Sequence, residues 1–262
     1  MADLHETWGH VVAALSGFSL STLVMLCITA LVAGIARGFS GFGAALIFVP
    51  LASAAIGPKA ASPILLLIDI VCAVTLLPDA LRKADKRDVS AMSVGSLFAV
   101  PAGVALLVFV DQLIVRWVIS LTALAFLMLL VSGWRYRGAV TMPLSVAVGV
   151  VAGVFSGTAQ LGGPPVVAYW LGGERPASIV RANIIVYFAV LSVLSGISYL
   201  VAGLLDAEVF LLSFICGPIY GGGLYVGARC FHLASERTFR YACYVLIGLA
   251  SVLGLPLLDG LR

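Results

Sequence analysis

Long apolar stretches without charge restrict this chain to one class of fold. From residue 183 to residue 203 there is no aspartate, glutamate, lysine or arginine, and similar stretches of about 20 residues recur along the sequence. They lack the two-residue alternation of a membrane-barrel strand. Hydrophobic residues make up 62% of the 262 residues and charged residues 10%, less than half the share found in soluble domains. The sequence therefore predicts an all-α integral membrane protein, a polytopic helix bundle.

Ten hydrophobic segments are predicted, and three of them are short. At a rise of about 1.5 Å per residue, the second, sixth and seventh are too short to cross a bilayer comfortably. We therefore expect the first and second segments, and likewise the sixth and seventh, to form hairpins that meet near mid-membrane. The ten segments are 16–36, 42–57, 61–78, 90–110, 113–134, 142–155, 161–172, 183–203, 208–228 and 239–258.

The sequence also contains an internal repeat. Phe39–Gly41, with the sequence FSG, returns as Phe155–Gly157 at an offset of 116 residues. An internal repeat in so apolar a chain is typical of transporters built from two halves. We predict halves at residues 1–138 and 139–262 that together form a single transmembrane domain. Further matches at offsets of 116 or 124 are Gly57 with Gly173, Lys59 with Arg175, Ala61 and Ser62 with Ala177 and Ser178, Gly103 with Gly227, and Arg116 with Arg240.

The lysine and arginine residues predict the orientation of the bundle. Eleven of them fall on one side of the predicted segments, and three, Lys59, Arg116 and Arg262, fall on the other. The positive-inside rule makes the first side cytoplasmic. Both termini then lie outside, and the two halves begin on opposite sides. They are therefore predicted to be inverted repeats, which place a substrate site at their interface.

Each half contains a glycine-rich motif that predicts a broken helix. The motifs are Arg37–Pro50 (RGFSGFGAALIFVP) and Gly153–Leu171 (GVFSGTAQLGGPPVVAYWL). Isolated glycines are also typical of close helix packing, but prolines and polar groups beside them favour a break that lines a cavity. The N-terminus of the helix that restarts after such a break attracts anions. We therefore predict a donor-rich site for a compact oxyanion. Its candidate residues are Arg37, Ser40, Gly41, Phe42, Gly43, Ser156, Gly157, Thr158, Gln160, Gly162, Gly163 and Arg181.

Two interpretations stay open for each charged residue near these motifs. Arg37 either faces the anion or extends to a membrane interface, and Arg181 either reaches the site or anchors the cytoplasmic side. Asp69 is the only acid deep in an apolar stretch. It either pairs with Arg37 structurally or carries a coupling proton. Trp170, near the end of a segment, is expected at a membrane interface.

The motifs resemble those of a known family. The first motif, the SGxxxxGGPP of Ser156–Pro165, and the C-terminal stretch Gly223–Leu249 are similar to the TauE/SafE sulfite exporter family over nearly the whole chain. The resemblance implies a transporter in the bacterial cytoplasmic membrane. It implies that the substrates are sulfite, organosulfonates or related organic anions, often moved outward.

These observations predict a secondary transporter or facilitator of small anions. An anion channel and a membrane-embedded binding protein without a transport cycle are the alternatives. The chain has no HExxH, GxSxG or Walker A motif, so we expect no enzyme activity and no ATP-driven transport. The five cysteines and three histidines show no metal-ligand spacing, so we expect no metal and no cofactor. The expected partners are a small anionic substrate and the lipid bilayer, with a homodimer as an option and no nucleic acid.

Overall fold

The computed structural model describes residues 18–41, 43–172, 176–230 and 236–261. The repeat matches at Gly173 and Arg175 lie outside the described residues. The described chain forms ten α-helices and a closing 3-10 helix, Pro256–Leu261, and no strand. The helices are α1 (Leu20–Ser40), α2 (Ala44–Ile56), α3 (Pro58–Lys83), α4 (Lys86–Phe109), α5 (Gln112–Ser132), α6 (Met142–Ala159), α7 (Gly163–Trp170), α8 (Ala177–Val201), α9 (Ala207–Cys230) and α10 (Glu236–Leu253).

The predicted all-α membrane bundle is confirmed. Each of the ten predicted segments corresponds to one helix, and six helices, α1, α4, α5, α6, α8 and α9, are long and apolar enough to cross a membrane. The prediction that the sixth segment is too short is wrong. Helix α6 continues past residue 155 to Ala159 and reaches 18 residues. The helix continues to this point because no residue of the helix before Gln160 leaves the right-handed conformation; Gln160 has a φ of 57°.

Two pairs of parallel helices form the most extensive interfaces, α4 with α6 and α1 with α9. A Cβ added at Gly103 of α4 would overlap the Val154 carbonyl oxygen of α6. In the second pair, a Cβ at Gly227 of α9 would overlap the Ile35 carbonyl oxygen of α1. Glycine thus lets the backbones touch, which matters in lipid because close packing rather than the hydrophobic effect holds helices together there.

The repeat-related glycines are not all equivalent in structure. Gly103 and Gly227, 124 residues apart, both pack against a neighbouring backbone. Gly41 and Gly157, 116 residues apart, differ. Gly157 lies inside α6, where a Cβ would overlap the Val100 carbonyl oxygen, whereas Gly41 ends α1 with a φ of 75°, and a Cβ added there would meet no heavy atom within 4 Å. The first helix therefore breaks at the glycine of its FSG sequence, Gly41. Helix α6 continues three residues beyond the corresponding position and breaks at Gln160.

Several other helix contacts have a counterpart when the two halves are exchanged. Helix α4 contacts α8, and correspondingly α9 contacts α3; helix α10 contacts α2, and correspondingly α5 contacts α7. Helices α3 and α8 contact each other, as do α5 and α10. Two related five-helix halves would produce this pattern. Their inversion across a membrane stays a prediction.

Contacts between the connecting segments show which helix ends lie at the same end of the bundle. At one end, Arg116 at the start of α5 donates two hydrogen bonds to Asp259 of the 3-10 helix, at 2.7 and 2.8 Å. At the opposite end, the Tyr136 N–H donates to the Ala168 carbonyl at 3.0 Å, so α7 returns to the level at which α6 begins. Helix α1 runs parallel to α9, so it begins at the first end, where the described chain also finishes.

Trp170 does not face lipid headgroups, as a residue of an aromatic interface belt would; its depth in the membrane stays a prediction. Its side chain is 1% exposed, and its ring meets that of Tyr187 edge-on at a centroid distance of 5.8 Å. The reason is that the short helix α7 turns back into the bundle and packs on α6 and α8. An aromatic ring at its end is therefore covered by protein rather than by lipid headgroups.

Candidate functional site

The two helix breaks border one cavity between the halves. The first residues of α2 and of α7 line it, together with side chains from α1, α3, α6 and α8. The volume is about 70 Å³. One water molecule needs roughly 10–15 Å³ by the same measure, so the cavity admits a ligand of roughly five non-hydrogen atoms. Such a space suits a compact solute.

Left-handed residues lie at both helix breaks beside this cavity. Gly43 has a φ of 101°, a conformation that glycine adopts without strain. Gln160, with a φ of 57°, is the only non-glycine residue with positive φ among the described residues. Such a conformation costs on the order of 1–3 kcal/mol and persists only where surrounding contacts hold it. The break after α6 is therefore held by specific interactions.

Both restarted helices present their N-termini to the cavity. Helix α2 contributes Ala44, Ala45 and Leu46, and α7 contributes Gly163 and Pro164. The first N–H groups of a helix have no acceptor within the helix, and each N-terminus carries roughly half a positive charge. The prolines that follow Gly163 lack an N–H, so α7 offers fewer donors than α2 does. Each N-terminus nevertheless directs a partial positive charge toward the cavity.

Arg37 and Asp69 form an ion pair on the cavity wall. The Nη2 atom of Arg37 donates to Asp69 Oδ2 at 2.8 Å, and Nη1 donates to the Gly41 carbonyl at 2.9 Å. The Tyr220 hydroxyl donates to the other carboxylate oxygen at 2.6 Å. The Arg37 and Asp69 side chains are 18% and 28% exposed, so the cavity gives access to the pair. Of the two interpretations of Asp69, the pairing with Arg37 is present; proton coupling stays a prediction.

Gln160 is held by a second hydrogen-bond network. Its Nε2 atom donates to the Ser156 carbonyl at 3.1 Å and to the Tyr199 hydroxyl at 3.2 Å. The Tyr199 hydroxyl in turn donates to the Gly157 carbonyl at 2.9 Å. These bonds join the end of α6 to α8 and hold the left-handed residue in place. Both amide hydrogens of Gln160 are thereby used within the protein.

A family model for the sulfite exporter TauE/SafE matches residues 26–253. The chain belongs to the TauE/SafE family. No curated protein and no solved structure is significantly similar to it. The match covers every residue that lines the cavity, from Arg37 to Ser192.

In this TauE/SafE chain the structure brings together about half of the predicted site residues. Thr158 turns away from the cavity, because its hydroxyl donates to the Gly103 and Val154 carbonyls, and Arg181 is exposed at the start of α8. Gly157 packs on α4. Phe42 and the side chain of Ser40 lie outside the described residues. The predicted residues that line the cavity are Arg37, Gly43, Ser156, Gln160, Gly162, Gly163 and the coupling candidate Asp69.

Sequence reasoning missed two tyrosines that organise this TauE/SafE site. Tyr220 lies 151 residues from its partner Asp69, and Tyr199 lies 39 residues from Gln160. A single phenol inside the glycine run at 217–223 was the available signal for Tyr220, since a polar group there needs a partner. It could not identify Asp69, because no spacing rule relates positions on different helices.

Proposed function

We propose that this TauE/SafE-family protein is a secondary transporter of small anions and that the cavity between the helix breaks is its substrate site. One observation carries the proposal: a guanidinium and two helix N-termini border a single space of anion size. Asp69 and Tyr220 lie near the midpoints of α3 and α9, so this space is at mid-membrane depth in a spanning bundle. Transporters bind substrates at broken helices at this depth.

The name of the matching family, sulfite exporter, supports the finer substrate class. We propose sulfite and short organosulfonates or related carboxylates as substrates, moved outward across the bacterial cytoplasmic membrane. The basic connections at 82–87 and at Arg135 and Arg137 then face the cytoplasm, and both chain ends face the periplasm. Two inverted halves would open the cavity to each side in turn.

Asp69 is the proposed coupling group. Among the described residues, the charged or titratable groups that face its carboxylate are Arg37 from α1 and Tyr220 from α9. An anion that takes the guanidinium leaves a carboxylate without its cation inside the bundle, where an unpaired charge is costly. A proton bound to one carboxylate oxygen removes that charge. Anion and proton would then move together.

Transport by reconstituted protein tests the substrate site. We expect proteoliposomes to exchange sulfite and methanesulfonate, and Arg37→Gln to lower the rate roughly 10- to 100-fold, because hydrogen bonds to a charged partner contribute about 1.5–3 kcal/mol. The matched control is Arg82→Gln on α3, an exposed arginine away from the cavity. Equal rates for the two variants would remove the cavity as the substrate site.

Asp69→Asn tests the coupling separately. The variant keeps the shape of the side chain and removes its titration. We expect it to lose accumulation driven by a pH gradient while it still exchanges anions passively. Gradient-driven accumulation at the normal level, in protein of normal yield, would exclude Asp69 as the proton carrier and leave the substrate site standing.

A further inference from the structure

The amide of Gln160 has only one orientation that its neighbours allow. The atom 3.1 Å from the Ser156 carbonyl oxygen must be the nitrogen, because a carbonyl oxygen only accepts hydrogen bonds. The Tyr199 hydroxyl gives its hydrogen to the Gly157 carbonyl, so it accepts from the same nitrogen. The oxygen Oε1 is therefore the amide atom left for the cavity that Gln160 lines.

This oxygen is an acceptor in a cavity to which Arg37 and the two helix N-termini bring donors. Sequence reasoning expected Gln160 to donate to an anion, but its nitrogen is committed to Ser156 and Tyr199. Within the part of the chain that the structure describes, no residue donates to Oε1. An anion without a hydrogen on it would leave Oε1 unpaired, and such a loss is costly for a buried acceptor.

The net charge around the cavity is small. Asp69 neutralises the charge of Arg37, which is 2.8 Å away. What remains is the partial charge of the helix ends at the breaks, about +0.5 at each N-terminus of α2 and α7, offset by about −0.5 at each C-terminus of α1 and α6. In a space of so small a net charge and low dielectric constant, a doubly charged ligand costs more to desolvate than a singly charged ligand does.

We infer that the site selects a compact singly charged anion that carries one hydrogen-bond donor, an acidic O–H above all. Hydrogen sulfite has this chemistry, and the sulfite dianion does not. The inference rests on the proposed function and adds the charge state and the donor. In the bound state the anionic oxygens face Arg37 and the N-termini of α2 and α7, and the O–H of the ligand donates to Oε1 of Gln160.

The backbone at Gln160 agrees with this role. Glycine would occupy a φ of 57° without strain, whereas Gln160 needs its bonds to Ser156 and Tyr199 to stay there. Those two bonds fix the amide with its oxygen toward the cavity. An acceptor held in this way meets a ligand without losing further conformational freedom.

Three tetrahedral anions of similar size distinguish the effect of the ligand's charge from the effect of its hydrogen-bond donor. At mildly acidic pH methylphosphonate is a monoanion with one P–OH, methanesulfonate is a monoanion without a donor, and sulfate is a dianion. We expect calorimetry on the purified full chain to show methylphosphonate binding about 3- to 10-fold tighter than methanesulfonate. We expect sulfate to bind at least about tenfold more weakly than methanesulfonate.

Gln160→Gly removes the acceptor at a conformation that glycine tolerates. The preference for methylphosphonate over methanesulfonate should then fall below about twofold, whereas Arg82→Gln should keep it. If the glycine variant does not fold, Tyr199→Phe releases one of the two bonds that orient the amide and should also reduce the preference.

The outcomes separate the two proposals. Equal binding of methylphosphonate and methanesulfonate to the unaltered protein, or sulfate as the tightest ligand, would overturn the inference and leave anion transport standing. Failure of all three anions to bind, together with failure to exchange sulfite, would overturn the proposed function and the inference with it.

Discussion

Two hydrogen bonds between the halves occupy places that the repeat relates, and one of them involves a charged group whereas the other is neutral. In one, the Tyr220 hydroxyl of α9 donates to Asp69 of α3 at 2.6 Å. In the other, Ser96 of α4 and Tyr187 of α8 are joined at 2.6 Å. Ser96 precedes Tyr220 by 124 residues, the offset that also relates Gly103 to Gly227. Each bond thus joins a helix of the first half to a helix of the second, α3 with α9 and α4 with α8.

The surroundings explain the difference. Ser96 and Tyr187 are fully buried, and Ser96 also donates toward the Met92 and Gly149 carbonyls, so a neutral network is satisfied without a counter-ion. The Tyr220 bond ends on a carboxylate that adjoins the cavity and needs Arg37. At an offset of 116 from Arg37 stands Gly153, which packs on α4 instead. Of these two contacts between the halves, one therefore carries ionisable groups at the cavity, and the other is neutral and buried.

The largest expected effect comes from making the charged Arg37–Asp69 pair neutral. We expect the Arg37→Gln, Asp69→Asn double variant to recover most of the roughly 1–3 kcal/mol of stability that Arg37→Gln alone loses, because no unpaired carboxylate is left. Anion transport should stay roughly 10- to 100-fold low in both. Unfolding in detergent and flux in proteoliposomes measure the two effects. Transport regained by the double variant would show that the ion pair is structural alone.

A second test compares Gly41 and Gly157, which correspond in the internal repeat but have different surroundings in the structure. Gly157→Ala places a Cβ against the Val100 carbonyl, and we expect it to destabilise the protein by about 1–3 kcal/mol through overpacking. Gly41→Ala has open space and meets only the cost of its left-handed backbone, about 1 kcal/mol. Thermal unfolding of the two variants side by side measures the difference. A larger loss for Gly41→Ala would contradict the assignment of the close contact to α6.

A third test removes the Ser96–Tyr187 hydrogen bond and the Asp69–Tyr220 hydrogen bond in turn. Ser96→Ala leaves the buried Tyr187 hydroxyl without this partner, and we expect a loss of about 1–2 kcal/mol with unchanged transport per folded molecule. Tyr220→Phe should cost less stability but should change the pH dependence of transport, since it removes a donor to Asp69. Altered substrate affinity in Ser96→Ala at normal stability would show that the Ser96–Tyr187 pair also acts on the ligand.

The smallest effect is expected at Arg181. The residue is exposed at the start of α8 and does not line the cavity, so Arg181→Gln should change anion exchange by less than about twofold. The measurement is sulfite exchange at saturating and at low concentration. A rise in the apparent Michaelis constant comparable to that of Arg37→Gln would bring Arg181 back to the substrate path.

The sequence by itself determined the membrane class, the ten helices and the general place of the breaks. Apolar length sets the helices, because a chain in lipid must satisfy its backbone internally. The glycines and prolines near positions 41–43 and 160–165 locate the interruptions, because they are local properties of the backbone. The family match confirms the resemblance that these motifs carry.

Only the tertiary structure decided which polar groups meet. The partnership of Asp69 with Arg37 and Tyr220 joins three helices, and the orientation of the Gln160 amide depends on a tyrosine from another helix. The fold also places Gly41 at a helix end, whereas Gly157, the residue that corresponds to it in the repeat, lies in a packed helix interface. The physical reason is that a hydrogen bond needs a partner at about 3 Å with a suitable direction, and helix packing sets that geometry.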